Sequence, residues 1–427
     1  MKKIKFLLVL MISSVFVMSG QESELNQQAL LRHYIGTWYS TDTITDTEVG
    51  ANPSIKMTVE PSINAENALH VKVFEKAGNT WQTILVELIS YDKTSNQIVA
   101  LGTNINHGSF VGSGRFLNDS LWVMKDKDFN GKPTLDVKFE FKSLTEVLLT
   151  GTDYKTNKTW KVKYIKQNPK DKQIGIQLVS VRKKMLDNPE KTLNELSRMG
   201  FSFIESFVYD IGKFYDYTPI EFKNLVESQG LKFKGSMVFK DMLGKDDKEI
   251  MTWWNQCVKS HKEAGVTFIT TSNNEIDKVK TLQDLERLCK LYNRIGKLCQ
   301  ENGIKFGIHN HTKEFKTVET TVMYDYLLNN TNPEYVFFES DLYWMKVAGI
   351  NPVDYFITYP NRFLSWHLKD DTELGASGTM DFQKIYSHSE KAGLLYPIAE
   401  VEQYNFDPLF SVEMAYQYLY YLILGEK

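Results

Sequence analysis

Imidazole and carboxylate side chains recur in the second half of the chain at intervals of one structural repeat. His309, Asp341, His367 and Glu402 are separated by 32, 26 and 35 residues. Each sits at the end of a short apolar run. The runs read Gly307-Ile308-His309-Asn310-His311, Glu339-Ser340-Asp341-Leu342-Tyr343-Trp344, Ser365-Trp366-His367-Leu368-Lys369-Asp370 and Ala399-Glu400-Val401-Glu402-Gln403. Two imidazoles and two carboxylates brought to one point offer mixed nitrogen and oxygen donors, which suit a divalent Mn²⁺, Mg²⁺, Co²⁺ or Zn²⁺ ion. Such an ion, bridging a sugar carbonyl and the adjacent hydroxyl, stabilises the enediolate formed when a carboxylate or imidazole removes the proton α to the carbonyl. Isomerisation, epimerisation and elimination of a β-leaving group all proceed through that species, and these residues do not choose among them. Taken singly, each has an ordinary reading: a hydrogen-bonded histidine, or for Asp341 a helix cap. The four together point to a site. Glu400 is expected to face away from Glu402, so that only one of them reaches the others.

The elements that must position these groups follow from periodicity. After the polar stretch Lys166–Lys172, short apolar runs alternate with long amphipathic ones. Strands are expected at Ile174–Ser180, Phe201–Phe207, Leu231–Val238, Val266–Thr271, Ile304–His309, Val336–Ser340, Phe363–His367 and Leu395–Val401. Helices such as Asp247–Ala264 and Leu282–Asn302 lie between them. Five helices end on a glycine that leads into a strand (Gly200, Gly230, Gly265, Gly303, Gly393), where a left-handed residue closes the helix. Eight strand–helix units predict a TIM barrel, whose chemistry sits at the C-terminal strand ends. Cys257, Cys289 and Cys299 fall on helical stretches without metal-type spacing and read as buried small hydrophobes. Cys289 and Cys299 are separated by ~15 Å of helical rise and cannot pair.

At this point the second half resembles the sugar phosphate isomerase/epimerase family with its xylose-isomerase-like TIM barrel, whose relatives include inosose dehydratases, ketose 3-epimerases and 3-keto-glycoside lyases. The likeness rests on Gly175–Arg182, on His309-Asn310-His311 with Glu314-Phe315, and on the runs at Asp341, Trp366 and Val401. It implies Asp341, His367, Glu402 and His309 as metal ligands. It also implies Glu205, His309 and Glu402 as catalytic groups, and Gln177, Arg182, His311, Trp344 and Lys369 as substrate contacts. Two departures stand out. Many relatives carry a ligand carboxylate at the end of strand four, where this chain reads Thr270-Thr271-Ser272-Asn273-Asn274. Lys234-Gly235-Ser236-Met237 replaces a histidine common on strand three.

The first half has a different period. From about Leu30 to Ile165 apolar and polar residues alternate, with turn signals at Ala77-Gly78-Asn79, Tyr91-Asp92-Lys93 and Asn130-Gly131. Eight or more short strands predict an antiparallel barrel or sandwich. Gly36-Thr37-Trp38, after a short helical stretch, resembles the opening of lipocalin-like domains. Trp38, Trp81, Trp122 and Trp160 serve either as core or as a sugar platform. Lys2, Lys3 and Lys5 ahead of an apolar run from Phe6 to Met18 read as a secretory signal peptide; Gln21 stands where a lipobox would need cysteine. The expected organisation is therefore 1–20 signal peptide, 21–167 β-domain and 168–427 TIM barrel, exported to the periplasm or beyond. A net charge of −3 gives no footprint for nucleic acid, and no further segment has membrane length. The expected partner is a small carbohydrate, and relatives often form homodimers. The non-catalytic alternative is a carbohydrate-binding protein with a degenerate barrel site.

Overall fold

Period-two alternation in the first half places one row of each strand inward, and the computed structural model shows what that row builds. It describes residues 25–41, 54–62, 65–105 and 108–424; the leader-like segment lies outside them. Ten strands, from Gly36–Ser40 to Lys158–Lys166, each pair antiparallel with the next, and the first also pairs with the last (Trp38 opposite Lys166). The sheet therefore closes as a barrel, not a sandwich, and leaves no free edge. The helix Gln27–Leu31 lies against one end. Its Gln27 amide donates to the Phe116 carbonyl (3.0 Å) and accepts from the Phe116 amide (2.7 Å), so the buried polar group is satisfied. Trp38 is wholly buried, its indole donating to the Tyr34 carbonyl, and Trp122 stacks on Phe139 with ring centroids 4.2 Å apart. These two tryptophans are core. Trp81 and Trp160 are only half-buried.

The polar stretch after the last strand pins the two halves together. Asn168 accepts from the Thr37 amide and donates to the Met199 carbonyl, one partner from each half. The Lys166 ammonium is completely buried between the two halves. It donates to the His33 carbonyl (3.1 Å) and pairs with Glu413 on the last long helix, Pro408–Tyr418.

The second half is a closed barrel of eight parallel strands: Gly175–Gln177, Phe203–Ser206, Lys232–Val238, Phe268–Thr271, Lys305–His309, Val336–Asp341, Ser365–Leu368 and Tyr396–Ala399. All eight expected strands form. The first is shorter than expected because Leu178–Val181 coils into a 3₁₀ turn. The five expected glycines all have positive φ, between 72° and 109°. Inside the barrel, glycines on strands one, three and five face phenylalanines on strands two, four and six. Gly175, Gly235 and Gly307 pair in register with Phe203, Phe268 and Phe337. A Cβ on any of these glycines would fall 2.2–2.5 Å from the opposing ring. Phe203, Phe268, Phe337 and Ile398 thus plug the N-terminal end as one apolar layer. Everything inward and two residues further on belongs to the next layer, toward the C-terminal ends. The three cysteines are buried and unpaired. No helix among the described residues is long and apolar enough to cross a membrane.

Candidate active site

Above the phenylalanine plug, period two carries polar groups to the axis. Strands two, four and six contribute Glu205, Thr270 and Glu339; strands one, five and seven contribute Gln177, His309 and His367. Asp341, two residues past Glu339, pairs in register with His367. All seven residues are at most 2% exposed.

His367 is the hub. Its Nε2 lies 2.8 Å from Glu205 and 3.5 Å from Glu339, and the Glu400 carboxylate lies against its Nδ1, though out of line for a hydrogen bond. His309 Nδ1 lies 3.2 Å from Glu339 and its Nε2 3.9 Å from Asp341. Neighbours hold the carboxylates in place: Thr270 donates to Glu205 (2.9 Å) and Ser365 to Glu339 (2.7 Å). Asp341 does two jobs. Its Oδ1 accepts from the Trp344 amide and caps the following helix, while its Oδ2 is buried with no hydrogen-bond partner.

Electrostatics follow from four carboxyl groups buried around one axis. Burial, then the neighbouring Glu205, pushes Glu339 up to about 8. Burial likewise raises Asp341 to about 7, against the pull of Lys369. Burial alone would lower His367, but Glu339, Glu400 and Glu205 outweigh it and hold the imidazolium well above its usual range. His309, buried beside His367 and His311, is pushed well below that range. Burial raises Glu400, but the His367 and Lys369 cations overcome it and keep the carboxylate ionised.

The sequence expectations fare unevenly. Glu205, His309, Asp341 and His367 are brought together. Glu402 is not among them: the eighth strand ends at Ala399, and the Glu402 side chain is 39% exposed on the rim, paired with Lys369. Glu400 holds the axial place instead. Residues two apart share a strand face, so Glu400 and Glu402 never faced opposite ways, and Lys369 bridges both (3.1 Å to Glu400). Arg182 is exposed at the head of the helix Arg182–Asp187, outside the cluster. His311 and Trp344 meet on the rim with rings 5.5 Å apart and tilted at 43°, and the Lys369 ammonium lies 5.0 Å from the Trp344 ring. Gln177 faces inward with its Nε2 unpartnered. Glu339 was missed, although its parity with Asp341 was available. No carboxylate ends strand four, where Thr270 serves only as a donor to Glu205.

This donor set fits a divalent cation. Ligand atoms of His309, Asp341 and His367 all lie within 4.8 Å of one another, as do those of Glu205, Glu339 and His367. Four carboxyl groups crowd one buried axis, and a bound cation would relieve the burial cost and mutual repulsion that push Glu339 and Asp341 up.

Among known proteins, two solved structures of sugar phosphate isomerase/epimerases from Parabacteroides distasonis ATCC 8503 resemble this chain. One is 27% identical over 59% of this chain and 95% of its own, and the other 26% identical over 59% and 99%; each has a TM-score of 0.56. None of the curated protein sequences compared with it is a match. The xylose isomerase-like TIM barrel family model matches residues 193–417, from the helix that precedes strand two through the last long helix. That span is more than half of the chain and contains the plug and all but the Gln177 part of the polar layer, so this protein belongs to the xylose isomerase-like TIM barrel family.

Proposed function

We propose that this protein is an exported, divalent-metal-dependent enzyme of the isomerase or epimerase type acting on a carbonyl-bearing sugar. The observation that carries the reading is the pair of ligand triads that share His367 on the inward faces of strands two, five, six and seven. His309, Asp341 and His367 of the first triad would hold the ion, joined by Glu400, whose carboxylate lies against His367 Nδ1. When bound, the ion supplies Lewis-acid stabilisation to a carbonyl and the hydroxyl beside it. Glu205 lies outside that set yet faces His367, and it is the carboxylate placed to take the proton α to the carbonyl. Its conjugate acid returns the proton to the neighbouring carbon in an isomerisation; return from a second carboxyl inverts the centre. Water is kept out by burial of the whole layer.

The unpartnered groups describe the substrate from the protein's side. Gln177 Nε2, His311 Nδ1 and Trp344 Nε1 are buried or rim-facing donors or acceptors without partners, and each is expected to be matched by a ligand. A polyhydroxylated keto-sugar, a keto-inositol or a 3-keto-glycoside matches them. The names of the two similar structures support isomerase or epimerase chemistry. Export rests on residues 1–20, and the closed antiparallel β-barrel with Trp38 in its core supports a lipocalin-like companion domain.

The test is solvent exchange. Ketoses and keto-inositols are incubated with the Mn²⁺-loaded protein in D₂O and followed by proton NMR. The expected result is metal-dependent deuterium incorporation α to the carbonyl, lost in Glu205→Gln. Binding of these sugars with no exchange under any divalent metal would leave a non-catalytic carbohydrate-binding barrel.

A further inference from the structure

Two phenylalanines stand where the polar layer gives way to solvent. Phe207 and Phe239 are the first residues past strands two and three, which end at Ser206 and Val238, and lie two residues beyond Glu205 and Met237. Both therefore stand at the C-terminal mouth of the barrel, on the same side of the phenylalanine plug as Glu205. Their rings meet edge to face, 5.5 Å apart at 80°. Phe239 is 44% exposed, and Phe207 is half-buried.

Burying such a ring is worth ~1.5–3 kcal/mol, so a ring pair left partly open at the mouth of the barrel, just past the strand that carries Glu205, is best explained by an occupant. The opposite rim is polar and aromatic, with the His311 and Trp344 rings 5.5 Å apart and tilted against each other. Lys369, beside Trp344, is already engaged by Glu400 and Glu402, and Lys240, next to Phe239, pairs with Glu249 at 3.3 Å, so neither is free for a phosphate group.

We infer that Phe207 and Phe239 form a subsite for a second ring of the substrate. The sugar held at the polar layer then carries a further sugar or an aromatic aglycone, and the substrate class is a glycoside, not a phosphorylated monosaccharide. The inference rests on the proposed sugar chemistry of the same site but concerns binding alone.

The experiment measures affinity of the Mn²⁺-loaded full chain for 4-nitrophenyl β-D-glucopyranoside, methyl β-D-glucopyranoside and glucose 6-phosphate by titration calorimetry. The nitrophenyl glucoside is expected to bind at least about tenfold tighter than the methyl glucoside. That ratio should fall to within about threefold in Phe239→Ala and Phe207→Leu, and persist in Phe129→Ala, a control at an exposed ring of the β-barrel. Three results overturn the inference: a ratio unchanged by Phe239→Ala, tightest binding by glucose 6-phosphate, or no binding of the nitrophenyl glucoside. The wild-type solvent-exchange assay fails or succeeds separately, so a retained ring preference without exchange would sustain the subsite and remove only the catalytic reading.

Discussion

Glu413→Gln removes the only full negative charge among the described residues that touches the Lys166 ammonium at the junction of the two barrels; Glu195 acts on it only from a distance. Both side chains are 0% exposed, so neither water nor salt can compensate. What remains for the ammonium is the His33 carbonyl and the face of Trp38, 4.7 Å away, neither carrying a full charge. Breaking one half of a buried pair costs ~3–5 kcal/mol. With an unfolding entropy of ~2.1 cal/mol/K per residue over roughly 380 ordered residues, about 0.8 kcal/mol/K in all, the melting midpoint should fall by ~4–6 °C. Burial works against both charges: it pushes Lys166 below its usual range and Glu413 up to about 7. The double variant Lys166→Met/Glu413→Leu should therefore melt near or above the wild type. Scanning calorimetry supplies the midpoints, and tryptophan emission, with four indoles in each half, shows whether both barrels respond. A midpoint for Glu413→Gln within 1 °C of wild type, or a double variant as unstable as the single ones, would refute the reasoning.

Other outcomes follow from the same structure. His33 is pushed down to about 3, first by burial and then by Lys166. It contributes stability that is present above its unfolded value near 6.5 and is lost as pH falls toward about 3, at up to ~1.4 kcal/mol per pH unit. His33→Leu should flatten that acid limb in urea titrations; an unchanged slope would remove His33 from the account. At the catalytic layer, Glu400→Gln should weaken Mn²⁺ binding by at least ~100-fold while Glu402→Gln costs less than ~5-fold, because only Glu400 lies against His367. Equal losses in calorimetric titrations would return Glu402 to the ligand set. Gly235→Ala would put a Cβ 2.2 Å from the Phe268 ring and should cost ~1–3 kcal/mol in urea unfolding, with most of it recovered when Phe268→Leu is added. Failure of that rescue would mean the plug is not packed ring against glycine.

The fold was legible because its signals are local. Alternation marks the β-barrel strands, and a glycine after each of five helices marks a left-handed turn that only a sharp helix-to-strand connection requires. Register was harder, yet it was available. A glycine on one barrel strand opposite a phenylalanine on the next fixes which parity faces inward. Counting in twos from Phe203 and Phe337 then reaches Glu205 and Glu339, and counting from Ile398 reaches Glu400. The error over Glu400 and Glu402 was one of parity, and Glu339 was overlooked beside Asp341 because a single ligand was sought on each strand. Arg182 misled because its motif neighbours are barrel residues while its own side chain starts a helix. The Lys166–Glu413 pair had no local signal, since its partners lie 247 residues apart and meet only when both barrels have formed.

The most direct test of a metal site built by His309, Asp341, His367 and Glu400 is elemental analysis of the Mn²⁺-loaded, desalted wild type beside Asp341→Ala and His367→Ala, each checked for native circular dichroism. About one divalent ion per chain in the wild type and none in either folded variant is the predicted result. A metal-free wild type, or ion content that both variants retain, would contradict it.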